Sequence, residues 1–329
     1  MEYDVKYMWR CLQLARCGEA GAPPNPMVGA VIVHNGRIIG EGFHRRCGGP
    51  HAEVNAVASV RDRSLLPQST MYVSLEPCAH YGKTPPCAQL IVDCGIPRVV
   101  VGCQDPFAKV NGLGLKIMRD AGIEVVVGVL EEECLQLNRR FVTFHRHHRP
   151  WITLKWAQSE DGFMDSLRGE NEPPQSFSTP FTQVLVHRLR ARHQAILVGT
   201  RTALMDNPTL TTRAWPGENA LRLTIDRKGC LPSDLNLKDG STPTHIYGHG
   251  NLREILSDLY GKGVQSLLVE GGACLLQSFI DEGLWDEARV ETAPLKLGSG
   301  VRSPRLKSAK NVSKEWYDGN LIELFVPQM

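Results

Sequence analysis

Four side chains in the N-terminal half have the types and spacing to hold a metal ion and move protons. They are His51-x-Glu53 and, further along, Cys78 followed after eight residues by Cys87. One imidazole and two thiolates are ligands that tetrahedral Zn²⁺ prefers, and a catalytic zinc site keeps its fourth position open for water. Glu53 is too close to His51 to ligate the same ion well. We therefore expect it to act as a general acid and base.

The elements around these residues should bring them together. His51 follows Pro50 and opens an apolar run typical of a helix, Cys78 follows a predicted buried strand, and Cys87 opens the next helix after two prolines. Helix N-termini favour thiolates, so ligands at two adjacent N-termini can converge on one ion. A structural zinc site is the alternative. It normally uses four ligands, and no fourth lies close in sequence.

Strands and helices alternate in both halves, which predicts an α/β fold. In the first half Asn35-Gly36 marks a hairpin turn, later strands and helices predict a mostly parallel sheet covered on both faces, and Gly95 and Gly122 are expected to end helices. The polar, basic segment 144–151 interrupts the pattern and is interpreted as a solvated connection. We therefore expect two domains, residues 1–146 and 147–329.

Composition excludes several classes of protein. The chain has 329 residues and 42% hydrophobic residues, with 37 Lys and Arg against 35 Asp and Glu, so a formal charge of +2 gives no general attraction to nucleic acid or membrane. The N-terminus lacks the basic and apolar regions of a signal peptide, and no apolar run has the length of a membrane span. Ten cysteines without an export signal indicate a reducing compartment, so we expect a cytoplasmic protein.

The zinc pattern resembles that of the cytidine-type deaminases, in which His-x-Glu is followed by Pro-Cys and a second Cys. In that family zinc activates water for attack on the ring carbon that bears the amino group, and the Glu moves the protons. The usual spacing between the two cysteines is two residues, whereas here it is eight.

The longer segment CAHYGKTPPC resembles the deaminase half of the bifunctional riboflavin-biosynthesis deaminase–reductases. So do Asn25-Pro26-Met27-Val28-Gly29 and Gln104-Asp105-Pro106, and the resemblance covers most of residues 3–145. It implies a cytidine-deaminase-like three-layer domain and, as substrate, a diaminopyrimidinone that carries ribosylamine 5′-phosphate.

The resemblance also implies substrate contacts. Asn25 and His80 would hold the pyrimidine, and Lys83 and Asp105 would contact the ribose phosphate portion. A loop cation suits a phosphate dianion, although a lysine without such a motif is usually just solvated. The family usually has Asp-Pro-Asn-Pro where this chain continues from Asp105 with Pro-Phe-Ala, so an Asn contact is missing.

The second half contains two further motifs but no Gly-x-Gly-x-x-Gly, so a standard dinucleotide fold is not indicated. One motif runs from Thr202 through Asp206-Asn207-Pro208 to Arg213, and the other is the Glu270-Gly271-Gly272 segment between a strand and a helix. Two glycines let a ligand approach the backbone, and a helix N-terminus can bind phosphate. An ordinary tight turn is the alternative.

Both motifs resemble the reductase half of the same family, over about residues 150–326. That half has a dihydrofolate-reductase-like fold and uses NADPH. Substrate contacts are implied at Arg190, Leu210, Arg213 and Glu270. The NADPH contacts expected here are Gln158, Thr202, Asp206, Gly271, Gly272, Ala273, Cys274, Leu275, Leu276, Gln277 and Ser278.

The implied chemistry is hydride transfer from NADPH to the sugar carbon of the opened ribosylamine. Lys155 and Glu270 are the candidate catalytic acids, and a buried structural Lys–Glu pair is the alternative. The family usually carries Gly-Asp/Glu-Ser-x-Trp before the long helix. Residues 172–177, Glu-Pro-Pro-Gln-Ser-Phe, lack that Ser and Trp.

Three functions remain open from the sequence. The first is a bifunctional deaminase and reductase, expected to form a homodimer or a larger homo-oligomer. The second is a deaminase whose C-terminal half is a non-catalytic binding domain, as the missing Ser and Trp suggest. The third is a deaminase of nucleic-acid bases, which the near-zero charge disfavours.

Overall fold

The computed structural model describes residues 2–79, 85–107, 110–169 and 172–328. The chain divides into two compact units, Met1–His148 and Arg149–Met329. The boundary expected after residue 146 lies two residues before this division.

The first unit alternates strands with helices after an opening helix and a hairpin. Its described helices and strands are α1 Glu2–Arg16, β1 Gly29–His34, β2 Arg37–Phe43, α2 Ala52–Ser59, β3 Thr70–Leu75, α3 Cys87–Asp93, β4 Arg98–Cys103, α4 Leu113–Asp120, β5 Glu124–Val127, α5 Glu131–Leu137 and α6 Arg139–His147. The hairpin turn lies at Asn35-Gly36, and Gly95 and Gly122 follow the ends of α3 and α4 with positive φ, as predicted.

The five-stranded sheet has the order β2-β1-β3-β4-β5. Strand β1 pairs antiparallel with β2 and with β3, whereas β3, β4 and β5 are parallel. The expectation of a mostly parallel sheet is therefore wrong. The hairpin folds β2 back on β1, and β1 runs against β3, so half of the pairings are antiparallel.

Helices cover both faces of this sheet, which gives the three layers that were expected. Alternate residues of β1 enter two different cores: Ile32 packs with α2, α3 and α4, and Val31 packs with α1 and α5. The interpretation of residues 144–151 as a solvated connection is wrong in its first part. Helix α6 continues to His147, because Phe141 and Phe144, three residues apart, bury one face of it.

The second unit is built on a longer mixed sheet. Its described helices and strands are β6 Trp151–Ser159, β7 Phe163–Asp165, α7 Pro180–Ala191, β8 Ala195–Val198, α8 Thr200–Asp206, β9 Leu221–Ile225, β10 Thr244–Tyr247, α9 Leu252–Gly261, β11 Ser266–Val269, α10 Ala273–Asp281, β12 Glu287–Ala293, β13 Val301–Arg302, β14 Ala309–Tyr317 and β15 Asn320–Pro327.

The eight strands have the order β10-β9-β8-β11-β6-β12-β15-β14. The first six are parallel, and β15 runs antiparallel to both of its neighbours. The carboxyl ends of β8 and β11 therefore meet at one edge, where the two motifs of this half follow them. Among the described residues, no helix combines the length and the apolar character needed to cross a bilayer.

Candidate active sites of the two units

The predicted metal ligands converge in the first unit. His51 is the residue that caps the start of α2, Cys87 is the first residue of α3, and Cys78 lies in the loop after β3. His51 Nδ1 lies 3.6 Å from Cys78 Sγ and 3.4 Å from Cys87 Sγ. Ligands of one tetrahedral zinc are separated by about 3.6 Å, so these donors fit the ion. Within the described parts of the chain, this group contains no fourth ligand.

Local hydrogen bonds prepare Cys78 for a metal. The backbone N–H of Cys87 donates to Cys78 Sγ over 3.2 Å. Hydrogen bonding from Cys87 and His51 lowers the pKa of the Cys78 thiol to about 4, and the adjacent Cys78 raises the pKa of the Cys87 thiol. A first thiolate is thus stabilised by the protein alone. The second requires the positive charge that a bound metal supplies.

Glu53 lies on the first turn of α2 and is 3% exposed. Burial, and next the charge of Cys78, raise the pKa of its carboxyl to about 7. A carboxyl that titrates near neutrality can both accept and return a proton at physiological pH. This geometry supports the proton-transfer role predicted from the His-x-Glu spacing.

Asn25 is held close to the metal ligands through a histidine. Its Nδ2 lies 3.1 Å from His44 Nε2, and His44 Nδ1 lies 3.0 Å from the Pro50 carbonyl oxygen. The rings of His44 and His51 meet edge to face, with centroids 5.3 Å apart. His44, which no sequence motif indicated, therefore connects Asn25 to the metal ligand His51.

A buried carboxylate ties together the loops beside Cys78. Glu76 accepts hydrogen bonds from four backbone N–H groups, those of Asp105, Gly112, Gly114 and Leu115, over 3.0 to 3.3 Å. A side chain at Gly114 would not fit, because its Cβ would lie 2.0 Å from the Pro77 carbonyl oxygen. Nothing in the sequence around Glu76 indicates this role.

Asp105 is 7% exposed, and burial raises the pKa of its carboxyl to about 6. The predicted substrate contacts His80 and Lys83 lie outside the described residues, as does Ala108. The assignment of the ribose phosphate contacts in this unit therefore stays a prediction.

In the second unit two predicted substrate residues bind each other. Arg190 Nε and Nη2 donate to the two carboxylate oxygens of Glu270 over 2.8 and 2.7 Å, and Arg190 Nη1 donates to the Thr211 carbonyl oxygen. Burial alone would raise the pKa of Glu270, but Arg190 and Lys155 lower it to about 2. Glu270 is thus an ionised acceptor at neutral pH.

The other two predicted substrate residues differ in access. The side chain of Leu210 is 2% exposed, and its backbone has φ +51°. Arg213 is exposed, and its Nη1 lies 3.2 Å from Thr209 Oγ1. Arg213 is therefore an accessible cation beside the Arg190–Glu270 pair, which contacts the same loop at Thr211.

The two glycines after β11 form a stretch of backbone without side chains, in which Gly271 is buried and Gly272 half-buried. Gly271 has φ +122°, which only glycine adopts readily, and Gly272 caps the start of α10. A Cβ at Gly272 would lie 3.1 Å from Thr202 Oγ1. The first turn of α10 has no acidic residue, so its N–H groups favour an anion such as a cofactor phosphate.

The remaining predicted cofactor residues are placed differently. The Asp206 carboxylate is hydrogen-bonded by Arg168, which also binds Asp165. Leu276 is fully buried in the core, so only its backbone could face a ligand. Gln158, at the end of β6, contacts Thr292 Oγ1 through its Nε2. Residues 273–275, 277 and 278 belong to the first turns of α10 with Leu276.

Strand β12 adds two charged residues that the sequence analysis missed. Arg289 lies opposite Lys155 in the pairing of β12 with β6, and Glu291 follows two residues later on the same face. Arg289 is 6% exposed and Glu291 is fully buried. Charged positions hide the alternation by which a strand is usually detected, and this is why β12 was not predicted.

Two family models match the chain. Residues 1–103 match the cytidine and deoxycytidylate deaminase zinc-binding region, and residues 150–318 match the RibD C-terminal domain. The first half therefore carries a zinc-binding deaminase domain and the second a reductase domain, which confirms the predicted fold class.

Known proteins resemble the chain over nearly its whole length. Riboflavin biosynthesis protein RibD from Aquifex aeolicus is 38% identical over 323 residues, 91% of this chain and 89% of the relative, and the Escherichia coli K12 protein of that name is 36% identical over 91% and 90%. A solved Thermotoga maritima diaminohydroxyphosphoribosylaminopyrimidine deaminase/5-amino-6-(5-phosphoribosylamino)uracil reductase is 34% identical, with TM-score 0.89 over 99% of both chains. The solved structure of Acinetobacter baumannii RibD has a TM-score of 0.90 and 30% identity, and the match covers 100% of this chain and 99% of that one. The chain therefore belongs to the RibD family, the bifunctional deaminase–reductases of riboflavin biosynthesis.

Proposed function

We propose that this enzyme first deaminates a diaminohydroxyphosphoribosylaminopyrimidine and then reduces the ribosyl group of the product to ribityl with NADPH. The observation that carries the proposal is the three-donor group of His51, Cys78 and Cys87, with Glu53 buried beside it. Hydrolytic deamination needs a zinc with an open coordination position and a carboxyl that exchanges protons, and this group supplies both requirements.

In the deamination step His51, Cys78 and Cys87 would hold the zinc, which when bound would supply an activated water as nucleophile. Glu53 takes the proton of that water, delivers a proton to the ring nitrogen, and assists the departure of ammonia. Asn25 orients the pyrimidine. His80, Lys83 and Asp105 are proposed to hold the rest of the substrate.

In the reduction step the backbone at Gly272 and at the start of α10, with Thr202 beside it, would hold the phosphates of NADPH, which when bound would supply the hydride. Arg213 binds the sugar phosphate of the substrate, and Leu210 lines the site. Lys155 delivers the proton that accompanies the hydride. Glu270 is held ionised by Arg190, so we assign it to hydrogen-bond acceptance rather than proton donation.

The test is incubation of the purified protein with the proposed pyrimidine ribosylamine phosphate, with and without NADPH, while ammonia and NADPH oxidation are both measured. We expect ammonia in both reactions and NADPH oxidation only after deamination. Glu53→Gln should retain stoichiometric zinc and lose ammonia release. Full ammonia release by that variant would exclude the assigned proton transfer.

A deaminase with a non-catalytic second unit is the other candidate. The observation that favours it is the bidentate pairing of Arg190 with Glu270, which withdraws two predicted substrate ligands, in a chain whose residues 172–177 lack the Ser and Trp of the family. Titration of the whole protein with NADPH, followed by nicotinamide fluorescence, and then addition of the deaminated substrate as hydride acceptor separate the two. Saturable binding together with oxidation supports the bifunctional enzyme, and binding without oxidation supports the alternative.

We further propose that the enzyme works in the cytoplasm as a homodimer or a larger homo-oligomer. All ten cysteines are free, which suits a reducing compartment. Sedimentation of the purified protein tests the oligomeric state, and a monomer at micromolar concentration would contradict this part of the proposal.

A further inference from the structure

A cluster of charged side chains surrounds Lys155 on one face of the larger sheet. Strand β12 places Arg289 directly opposite Lys155, and Glu291 lies one position further along the same face. Glu270 follows the end of β11 on the other side of β6, and α7 contributes Arg190. Lys155 keeps partial access to solvent, so a ligand can reach it.

The two carboxylates of this cluster, Glu270 and Glu291, have different partners. Both oxygens of Glu270 bind Arg190. Glu291 Oε1 accepts hydrogen bonds from Thr182 Oγ1 over 2.6 Å and from Asn320 Nδ2 over 2.7 Å. Glu291 Oε2 lies 3.5 Å from Arg289 Nη1, and neither Nη atom of Arg289 has a hydrogen-bond partner among the described residues.

The cluster therefore contains an excess of positive charge. Its cations are Lys155, Arg190 and Arg289, and its carboxylates are Glu270 and Glu291. Arg190 binds both oxygens of Glu270, so Lys155 shares that carboxylate with Arg190, and Glu291 is the carboxylate beside Arg289. Two like charges on neighbouring strands destabilise each other most strongly where water is excluded.

We propose that Arg289 and Glu291 are positioning residues that act on Lys155 with opposite sign, Arg289 favouring release of its proton and Glu291 favouring its retention. The inference rests on the proposed function, in which Lys155 is the proton donor. It adds two residues of β12 to the reductase site and assigns the direction in which each of them acts.

The proton balance of the step gives these two residues a reason. A hydride from NADPH adds to the carbon of the C=N bond, and the nitrogen of that bond takes a proton from the Lys155 ammonium. The products are NADP⁺, the reduced substrate and neutral Lys155. Solvent then returns a proton to Lys155. If the pKa of Lys155 is too high, the ammonium is a poor proton donor. If it is too low, Lys155 is already deprotonated before the hydride is transferred.

The groups that face Lys155 agree with this assignment. Burial lowers the pKa of Lys155. The charge of Glu270 raises this pKa, the charges of Arg289 and Arg190 lower it, and the charge of Glu291 raises it by less. The remaining titratable groups near the cluster are His187 on α7 and Tyr317 on β14. Burial lowers the pKa of His187, and hydrogen bonding to Glu315 raises that of Tyr317, so both are neutral around pH 7.

The experiment is the pH profile of NADPH oxidation by the full-length enzyme with saturating deaminated substrate. Arg289→Met should move the basic limb of kcat upward by about one pH unit, because a like charge is removed from Lys155. Glu291→Gln keeps the acceptor for Thr182 and Asn320 and should move the limb downward by a similar amount. The double variant should lie between the two, and Arg289→Lys should restore the wild-type limb.

Two controls make the outcomes decisive. Arg253→Met removes an exposed cation of the same unit, whose side chain is 68% exposed, and should leave the limb in place. The thermal unfolding midpoint of each variant reports whether the second unit is folded. Shifts of opposite sign for the two β12 variants support the inference. Unshifted limbs, or shifts of one sign, overturn it.

Failure of the proposed function gives a different result. If Lys155→Met oxidises NADPH at the wild-type rate, Lys155 is not the proton donor, and both the function assigned to it and this inference are wrong. If Lys155→Met is inactive while the β12 variants keep the wild-type limb, the donor assignment stands and only the inference fails.

Discussion

Replacement of Glu76 by Gln should loosen the loops beside the metal site while changing the shape of the side chain very little. Glu76 is 3% exposed, and each of its oxygens accepts two backbone N–H bonds. An amide keeps one oxygen. Its NH₂ group would then face two backbone donors that have no other acceptor in this arrangement.

The magnitude follows from the two lost bonds. A hydrogen bond to a charged group contributes about 1.5–3 kcal/mol, so two of them amount to about 3–6 kcal/mol of local stability. This range corresponds to about two to four orders of magnitude in an opening equilibrium. The loss should concentrate at Asp105 and at the start of α4, where the four donors lie.

Hydrogen–deuterium exchange of the intact protein, read by mass spectrometry on peptides that cover residues 103–120, measures this directly. We expect faster exchange there and an unchanged rate in α7 of the other unit. The matched control is Glu124→Gln, which removes a carboxylate whose side chain is 65% exposed from an ion pair with Arg98 and should change exchange little. Exchange within threefold of wild type in Glu76→Gln would refute the reasoning.

Three further outcomes are expected in the second unit. Arg190 and Lys155 outweigh burial and hold the pKa of Glu270 near 2, below its value in the unfolded chain. The contribution of ionised Glu270 to the free energy of unfolding is therefore complete above about pH 4.5 and is lost toward pH 2. Urea unfolding of Glu270→Gln should lack this acid dependence, and an unchanged dependence would contradict the expectation. Gly271→Ala, at φ +122°, should destabilise the unit by about 1–3 kcal/mol and raise the KM for NADPH, whereas Gly261→Ala, in a helix with open space around it, should do neither. Arg222→Met should lower the stability by about 1–3 kcal/mol, since it removes the fully buried guanidinium that donates to the carbonyl oxygen of Thr242, whereas Asp239, whose side chain is 40% exposed, can be solvated instead; a thermal unfolding midpoint equal to that of wild type would contradict the expectation.

The zinc site could be predicted from the sequence because its ligands obey local rules. His51 and Cys87 follow prolines at the starts of helices, Cys78 follows a buried strand, and the chemistry of zinc fixes how many ligands are needed. Local order of this kind is readable from one segment at a time. The hairpin at Asn35-Gly36 was predictable for the same reason.

Other features depend on contacts between distant segments, which a single sequence does not reveal. Glu76 has no sequence feature that marks it, because its role depends on backbone N–H groups at and near the start of α4. Arg190 and Glu270 are 80 residues apart, and they bind each other, although the family resemblance implied that both contact the substrate. Strand β12 was missed because Arg289 and Glu291 occupy positions where apolar residues would have marked it.

The hydrogen bonds of His44 determine which end of the Asn25 amide is presented to a ligand. The Pro50 carbonyl oxygen can only accept, so His44 Nδ1 carries the hydrogen, and the bare Nε2 of the neutral ring takes a hydrogen from the Asn25 NH₂ group. The Asn25 amide oxygen is then the atom of that amide that can accept a hydrogen bond from a ligand. If Asn25 holds the pyrimidine as proposed, an N–H donor of the ring would meet an acceptor that His44 has already oriented, and ordering that side chain would not weaken binding.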